Sequence, residues 1–439
     1  MWKAATDLLG TVPGDDAALA EARSLATLPM RLGGLGLRSA ERVAPAAYWA
    51  SWADALAMIK DRAPTVATAA VASLSGAAAA DDAQGCLAEA RAAADLLSQE
   101  GFLQLPSWAA LQDGLRPKEH CGAEPGEWAR GWQYVASSTR ETHFPRSAVL
   151  SRSSPTDCAH LRSHSGLNAG IALSGAPTAP EFEIEPFAFR VLLLERLRLP
   201  LPLAEATCEG CRRELDPRGS HRGACMSSGR VKRRAAPVEG ALARVCREAG
   251  ATVKWNAKLA NMNLGVAAGD QRRIEVLAQG LPLRAGAQLA VDITLRSALT
   301  ADGAPKPRAA TVDGAAAASA RQDKEAAYPE LLAARRCDLV VVAIETGGRW
   351  STEAADFVEQ LAYARARDAP ARLRLATALA WKRRWARLLG TACANAFANS
   401  LVALAGDITA PTCDGAAPAL SDLLGPGDGS HEAGSAGRG

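Results

Sequence analysis

Aromatic residues are scarce, at 5% of the 439 residues, while alanine supplies much of the 48% hydrophobic content. Short side chains bury little area each, so the helical parts must pack through many small contacts. A strong charge of either sign is also missing. The net charge of +3 is too mild to argue for a nucleic-acid surface from total charge alone. No run of about 20 apolar residues is free of charge, so no membrane span is expected. The first residues lack a charged start followed by an apolar run, so no secretory signal is expected either. The ten cysteines are scattered, which points to reduced thiols and an intracellular protein. Gly33, Gly34 and Gly36 make a turn, but the lysine and serine of a phosphate-binding loop do not follow. There are no internal repeats.

What is present divides along the chain. Length alone suggests two or three domains. Residues 1–64 read as helical, with a helix over DDAALAEARSLATLP stopped by Pro29 and another carrying Tyr48, Trp49 and Trp52, for which Ser39 is the expected N-cap. Residues 65–180 read as alanine-rich helices broken near Gly76 and Gly101, followed by a partly irregular connector from 116. Cys121, His143, Cys158, His160 and His164 lie in that connector and read as a surface cluster, because no cysteine pair sits at ligand spacing. Residues 181–229 hold a helix ending at Pro200 and a cysteine-rich turn. Residues 230–350 alternate helix and strand, 351–405 are helical with Ser351 as an N-cap, and 406–439 are rich in Gly, Pro, Ser and Ala and expected to be disordered.

The turn reads CEGCRRELDPRGSHRGAC. Cys208 and Cys211 are two residues apart, and His221 and Cys225 follow one helical turn from each other. Two thiolates in a tight turn, then an imidazole and a thiolate, can close a tetrahedral zinc site that stabilises local structure.

The third stretch is the one around which the chain is organised. VKWNAKLANMNL, RRIEVLA, AQLAVDITL and CDLVVVAIE are short runs rich in Val, Ile and Leu, which is the signature of strands. With the helix from Ala235 to Gly250 and another over about 314–336, they imply an α/β fold, α+β overall, with a central mixed sheet. Two strands each carry one acid among apolar neighbours, Glu275 and Asp292. A buried strand rarely holds a carboxylate without a partner or a function. With Lys324 on the following helix, these acids have the composition of a site that holds a divalent metal against a phosphate. Two structural readings stand beside that one: Glu275 pairs with Arg272 or Arg273 at a strand edge, and Asp292 bonds a turn amide. Basic residues cluster at Arg230, Lys232, Arg233 and Arg234 and again at 381–387, where Trp381 and Trp385 are expected to pack rather than stack on bases.

In this order, the chain resembles the C-terminal region of the reverse transcriptase polyproteins of non-LTR retrotransposons that carry a restriction-like endonuclease. In that family a Cys/His knuckle precedes an endonuclease of the PD-(D/E)xK type. The matching stretches are RRIEV at 272–276, VDIT at 291–294, Lys324 with Tyr328, and LVVVAIETGGR at 339–349; LPMRLGGLGLRSAERVAPAAYWAS at 28–51 is similar to the region just after the polymerase thumb. The resemblance implies a restriction-endonuclease-like core in which Glu275 and Asp292 bind magnesium or manganese and Lys324 is the catalytic lysine. It also implies DNA or RNA as partner, structural zinc at the knuckle, a nuclear location if the protein functions, and Arg230, Lys232, Arg233, Arg234, Arg272 and Arg273 as nucleic-acid contacts. Departures are plain: Glu275 stands where the family usually has Asp, the Pro-Asp pair is absent, and 16 residues separate Glu275 from Asp292. No Tyr-x-Asp-Asp polymerase turn is present. The expectation is a detached tail of such a polyprotein, with either a metal-dependent endonuclease or an inert nucleic-acid-binding module remaining.

Overall fold

The structure is a computed structural model that describes residues 2–10, 16–37, 40–76, 85–117, 131–203, 205–402 and 417–418, without the side chains of 142–148 and 152. Ser39, Cys121, the side chain of His143 and nearly all of the expected tail lie outside the described residues. The chain forms two compact units, one of Met1–Trp2 and Arg23–Ser154, the other of Lys3–Ala22 and Pro155–Gly439. Two short helices, α1 (Trp2–Leu9) and α2 (Asp16–Ala26), precede the rest.

The first unit is built from α3 (Ala40–Arg62), α4 (Pro64–Leu74), α5 (Cys86–Gln99), α6 (Trp108–Gln112) and α7 (Trp132–Arg152). Its core is the fully buried Trp49, met edge-on by Phe102 at 5.6 Å and Trp132 at 5.7 Å, with Trp108 tilted at 6.3 Å. Alanines from α3, α4 and α5 let the helices close on these rings. In such a core a few aromatics carry much of the apolar area that alanine cannot supply.

The expected connector at 116–180 is more regular than its sequence implied. Helix α7 and then α8 (Pro155–Ser163) occupy it. Neither has a marked apolar stripe, so periodicity gave no sign of them.

The second unit continues with α9 (Pro186–Arg196), the short α10 (Ser220–Ala224) and α11 (Arg230–Arg233), and α12 (Ala235–Glu248). Strands β1 (Thr252–Lys258), β2 (Arg273–Gln279) and β3 (Gln288–Arg296) follow, then α13 (Ala315–Ala327), α14 (Pro329–Leu332) and β4 (Cys337–Glu345). Helices α15 (Thr352–Ala366) and α16 (Arg374–Val402) close the fold. The sheet has the order β1-β2-β3-β4; the first three strands run antiparallel and β3 pairs parallel with β4. That is the mixed sheet of an α/β protein. The long expected helix over 314–336 breaks at Tyr328, because Pro329 pushes the residue before it away from helical backbone.

Alternation along β4 shows how the layers form. Val340, Val342 and Ile344 pack with α12, α15 and α16, while Leu339, Val341 and Ala343 pack with α13 and α14. A strand covered on both faces reads as an unbroken apolar run, as CDLVVVAIE does. Trp381 and Trp385 are buried in the first of these layers, as expected. Ser351 accepts from the Ala354 amide and caps α15, also as expected.

Candidate functional site

The β2–β3 ladder pairs Ala278 with Leu289, Leu277 with Ala290 and Val276 with Val291, and ends there. Beyond it β3 continues along β4 as far as Arg296. In the notch where β2 departs, Glu275 Oε2 accepts from the Ile293 backbone N–H at 2.5 Å. Alternation places Glu275 with Leu277 and Asp292 with Ala290, on the face covered by α13. Lys324, on that helix, lies with Nζ 2.6 Å from Asp292 Oδ2 and 3.8 Å from Glu275 Oε1. Helix α13 is fixed in turn by buried Glu345, whose Oε1 accepts from the Ala317 amide in its first turn. The sequence therefore places the acids on β2 and β3 through a simple alternation, and the crossover brings the lysine over them.

Neither bland alternative describes these acids. Arg272 pairs instead with Asp270 and Glu330, at 2.6 Å each, and Arg273 donates to the Asn256 carbonyl. Asp292 lies within β3 and is completely buried. Its Oδ1 has no hydrogen-bond partner among the described residues.

Burial, and then the charge of Asp292, push the Glu275 carboxyl up to about 8. Asp292 is also raised, by burial, against the pull of Lys324. Burial draws Lys324 down, but Asp292 and Glu275 outweigh it and raise the ammonium above its ordinary value. A third acid joins them: Glu239 of α12 is raised by burial and by Asp292. Glu239 escaped sequence reasoning because it sits in an ordinary amphipathic helix with no motif around it. Tyr328 donates its hydroxyl to the Arg273 carbonyl at 2.9 Å, tying the end of α13 to β2.

The knuckle is the second cluster. Cys208, Cys211, His221 and Cys225 offer four ligand atoms within 4.8 Å of one another, which can hold a metal ion. Asp216 Oδ1 accepts from the Ser220 amide and Oδ2 from that of His221, and together they orient α10. His221 Nδ1 donates to the Ala301 carbonyl at 2.9 Å, which leaves Nε2 toward the thiols. Burial opposes ionisation of Cys208, yet the amides of Cys211 and Gly210 bring its thiol down to about 6. Gly210 has no room for a side chain, since a Cβ would lie 2.4 Å from the Ser227 backbone.

The basic run beside the knuckle divides by burial, and two of its residues correct the expectation of a nucleic-acid surface. Arg230 is 2% exposed; it pairs with Glu209 and donates to the Ser400 carbonyl. Arg234 is 3% exposed and donates to the Gly223 and Leu295 carbonyls. Arg222 likewise donates to Leu401 O at 2.7 Å. Arg222 and Arg230 thus take up carbonyls of the last turn of α16, which have no partner within their own helix. A buried guanidinium held this way is structural. Lys232 is exposed, and Arg233 lies 3.6 Å from Glu209. Arg272 is neutralised by its two carboxylates, so Lys232, Arg233 and Arg273 carry what basic surface remains from the expected six.

A third cluster was read as lying on the surface and does not. His164 is buried and His160 nearly so, and the partner of both is Glu195 of α9, not Cys158. Burial, followed by His164, pushes His160 down to about 4; both histidines hold Glu195 well below the carboxylate range despite its burial.

No protein-family model and no curated protein matches the chain. Among the described residues, no helix is long and apolar enough to cross a membrane.

Proposed function

We propose that the second unit is a metal-dependent DNA endonuclease-like domain of retroelement origin, with its knuckle loaded with zinc. The observation that carries this reading is the unpartnered Asp292 Oδ1, a completely buried oxygen beside Glu275 and Lys324. A buried carboxylate oxygen costs free energy unless something positive meets it. Asp292 and Glu275 would hold magnesium or manganese, both of which favour carboxylate oxygens. Such an ion lowers the pKa of bound water and offsets the charge of a phosphodiester. Lys324, kept protonated by its two carboxylates, faces the same place and can meet the phosphate's negative charge. Glu275 and Lys324 side chains are 19% and 21% exposed, so the site opens to solvent on their side, from which a phosphate would approach.

Zinc at the knuckle is supported by its sulfur spacing. Cys225 Sγ is 3.8 Å from both Cys208 Sγ and Cys211 Sγ. Zinc–sulfur bonds of about 2.3 Å in a tetrahedron put sulfurs roughly 3.8 Å apart.

One observation favours an inert nucleic-acid-binding module instead: the close Lys324–Asp292 pair already satisfies one oxygen of the central acid. Nicking of supercoiled plasmid in magnesium or manganese separates the two. Cleavage by the wild type that disappears in Asp292→Asn supports the endonuclease. DNA binding with zinc retained, but no cleavage with either ion, leaves the binding module.

A further inference from the structure

The cluster at His160, His164 and Glu195 shares no side chain with the acids or with the knuckle. His160 Nε2 is 2.9 Å from Glu195 Oε1, and His164 Nε2 is 2.7 Å from Glu195 Oε2. The two rings stack at 4.2 Å. The histidines are four residues apart at the end of α8, where the His164 amide bonds the His160 carbonyl and so prolongs the turn. That spacing sets both rings on one side. Helix α9 then carries Glu195 to meet them.

The protons on His164 set the problem. Its Nδ1 lies 2.9 Å from the His160 carbonyl oxygen. A carbonyl can only accept, so Nδ1 carries the hydrogen. In a neutral ring Nε2 then presents a lone pair, and it points at a carboxylate oxygen 2.7 Å away. Two acceptors cannot face each other at that distance unless a positive charge lies between them. One source is a proton, carried either by the ring, as a buried imidazolium stacked on another imidazole, or by a neutral Glu195 carboxyl that donates to Nε2. The other is a metal cation.

Three further features favour the metal. One ligand atom from each side chain lies within 4.8 Å of the others, and the three residues are largely buried. The carbonyl bond to Nδ1 is the contact that commonly orients a metal-bound histidine and leaves Nε2 as ligand. All three residues line a partly open pocket that also exposes Thr156, Ser163 and Ser297. Zinc–nitrogen and zinc–oxygen bonds of about 2.0–2.1 Å require the ligand atoms to separate by only roughly 0.5 Å. Gly347 leaves the imidazole room, since a Cβ there would lie 2.6 Å from His164 Nδ1.

We propose that His160 Nε2, His164 Nε2 and the Glu195 carboxylate form a second zinc site, with its remaining coordination positions open to the pocket. Two imidazoles and a carboxylate suit zinc, and three protein ligands leave a place for water or an anion. The assignment is independent of the nuclease reading, because metal content is counted without any cleavage assay.

The test is metal analysis of the full chain, purified from zinc-supplemented medium and desalted. Two zinc per chain are expected for the wild type, and one for each of Glu195→Gln and His160→Asn. After exchange with cobalt(II), both variants are expected to keep the thiolate-to-cobalt absorption of the knuckle, which also shows that they fold. The Cys211→Ser/Cys225→Ser double variant is expected to keep one ion without that absorption. A wild type whose single zinc is lost in the Cys211→Ser/Cys225→Ser variant overturns the proposal, even if the other variants misfold. So does a second zinc that survives in Glu195→Gln.

Discussion

Glu275 Oε2 sits 2.5 Å from the backbone nitrogen of Ile293, where a ladder bond between β2 and β3 would otherwise continue. A side chain thus replaces a main-chain partner at the point where the strands part. The replacement keeps the Ile293 donor satisfied and holds the carboxyl beside Asp292.

That arrangement sets the stability of the fold against the ionisation of one residue. The folded-state pKa of Glu275 is raised, so its charge is disfavoured in the native protein. Its contribution therefore becomes less favourable as pH rises from about 4.5 to about 8. Glu275→Gln keeps an acceptor for Ile293 and removes the charge. In magnesium-free buffer it is expected to be more stable than the wild type at pH 8 by about 1–2 kcal/mol, and equal to it near pH 4. Urea unfolding across pH checks this, and the same variant is expected to lose plasmid nicking. A variant less stable at pH 8 would contradict the charge argument.

Neighbouring basic residues should respond differently according to burial. Arg230→Ala removes a buried guanidinium from Glu209 and from the end of α16 and is expected to cost about 3 kcal/mol. Lys232→Ala is exposed and expected to leave stability unchanged. If this face holds DNA, the Lys232 variant should reduce the slope of log affinity against log salt by about 1. Thermal unfolding and a salt titration separate the two effects.

Glu248 gives a pH dependence of the opposite sign to Glu275. It accepts from Arg384, Arg244 and the Trp385 indole while almost fully buried. Burial raises its carboxyl, but Arg384 first and then Trp385 and Arg244 overcome that and leave it lowered. The stability it supplies is present above the ordinary value of 4.5 and lost as pH falls through the folded value. Glu248→Gln is expected to cost about 3 kcal/mol at pH 7, with the difference from the wild type shrinking below pH 4.5. Denaturant midpoints at a series of pH values measure it.

The strands were legible because Val, Ile and Leu concentrate in four short runs, and the two acids stood out because each is flanked directly by Val or Ile in its run. The knuckle was legible from spacing alone, since its four side chains fall within 18 residues. Where partners lie far apart in the chain, sequence reading failed. Nothing near His160 points to Glu195, 35 residues later. Nothing in the 230–234 run shows that two of its arginines meet backbone oxygens, because the acceptors are carbonyls and carbonyls leave no mark on composition. Helix α7 was missed for another reason: its sequence lacks the periodic apolar face by which helices are recognised.

The arginines at the end of α16 also bear on the order of folding. Arg222 and Arg230 meet acceptors 179 and 170 residues further along. During synthesis the knuckle can close early, since its four side chains are local. Its arginines must then wait in water until the last helix emerges. These contacts are among the most distant in the chain, so they belong to the late, slow part of assembly. A nascent chain halted before Ser400 would hold a closed knuckle whose guanidinium groups had lost both of these anchors.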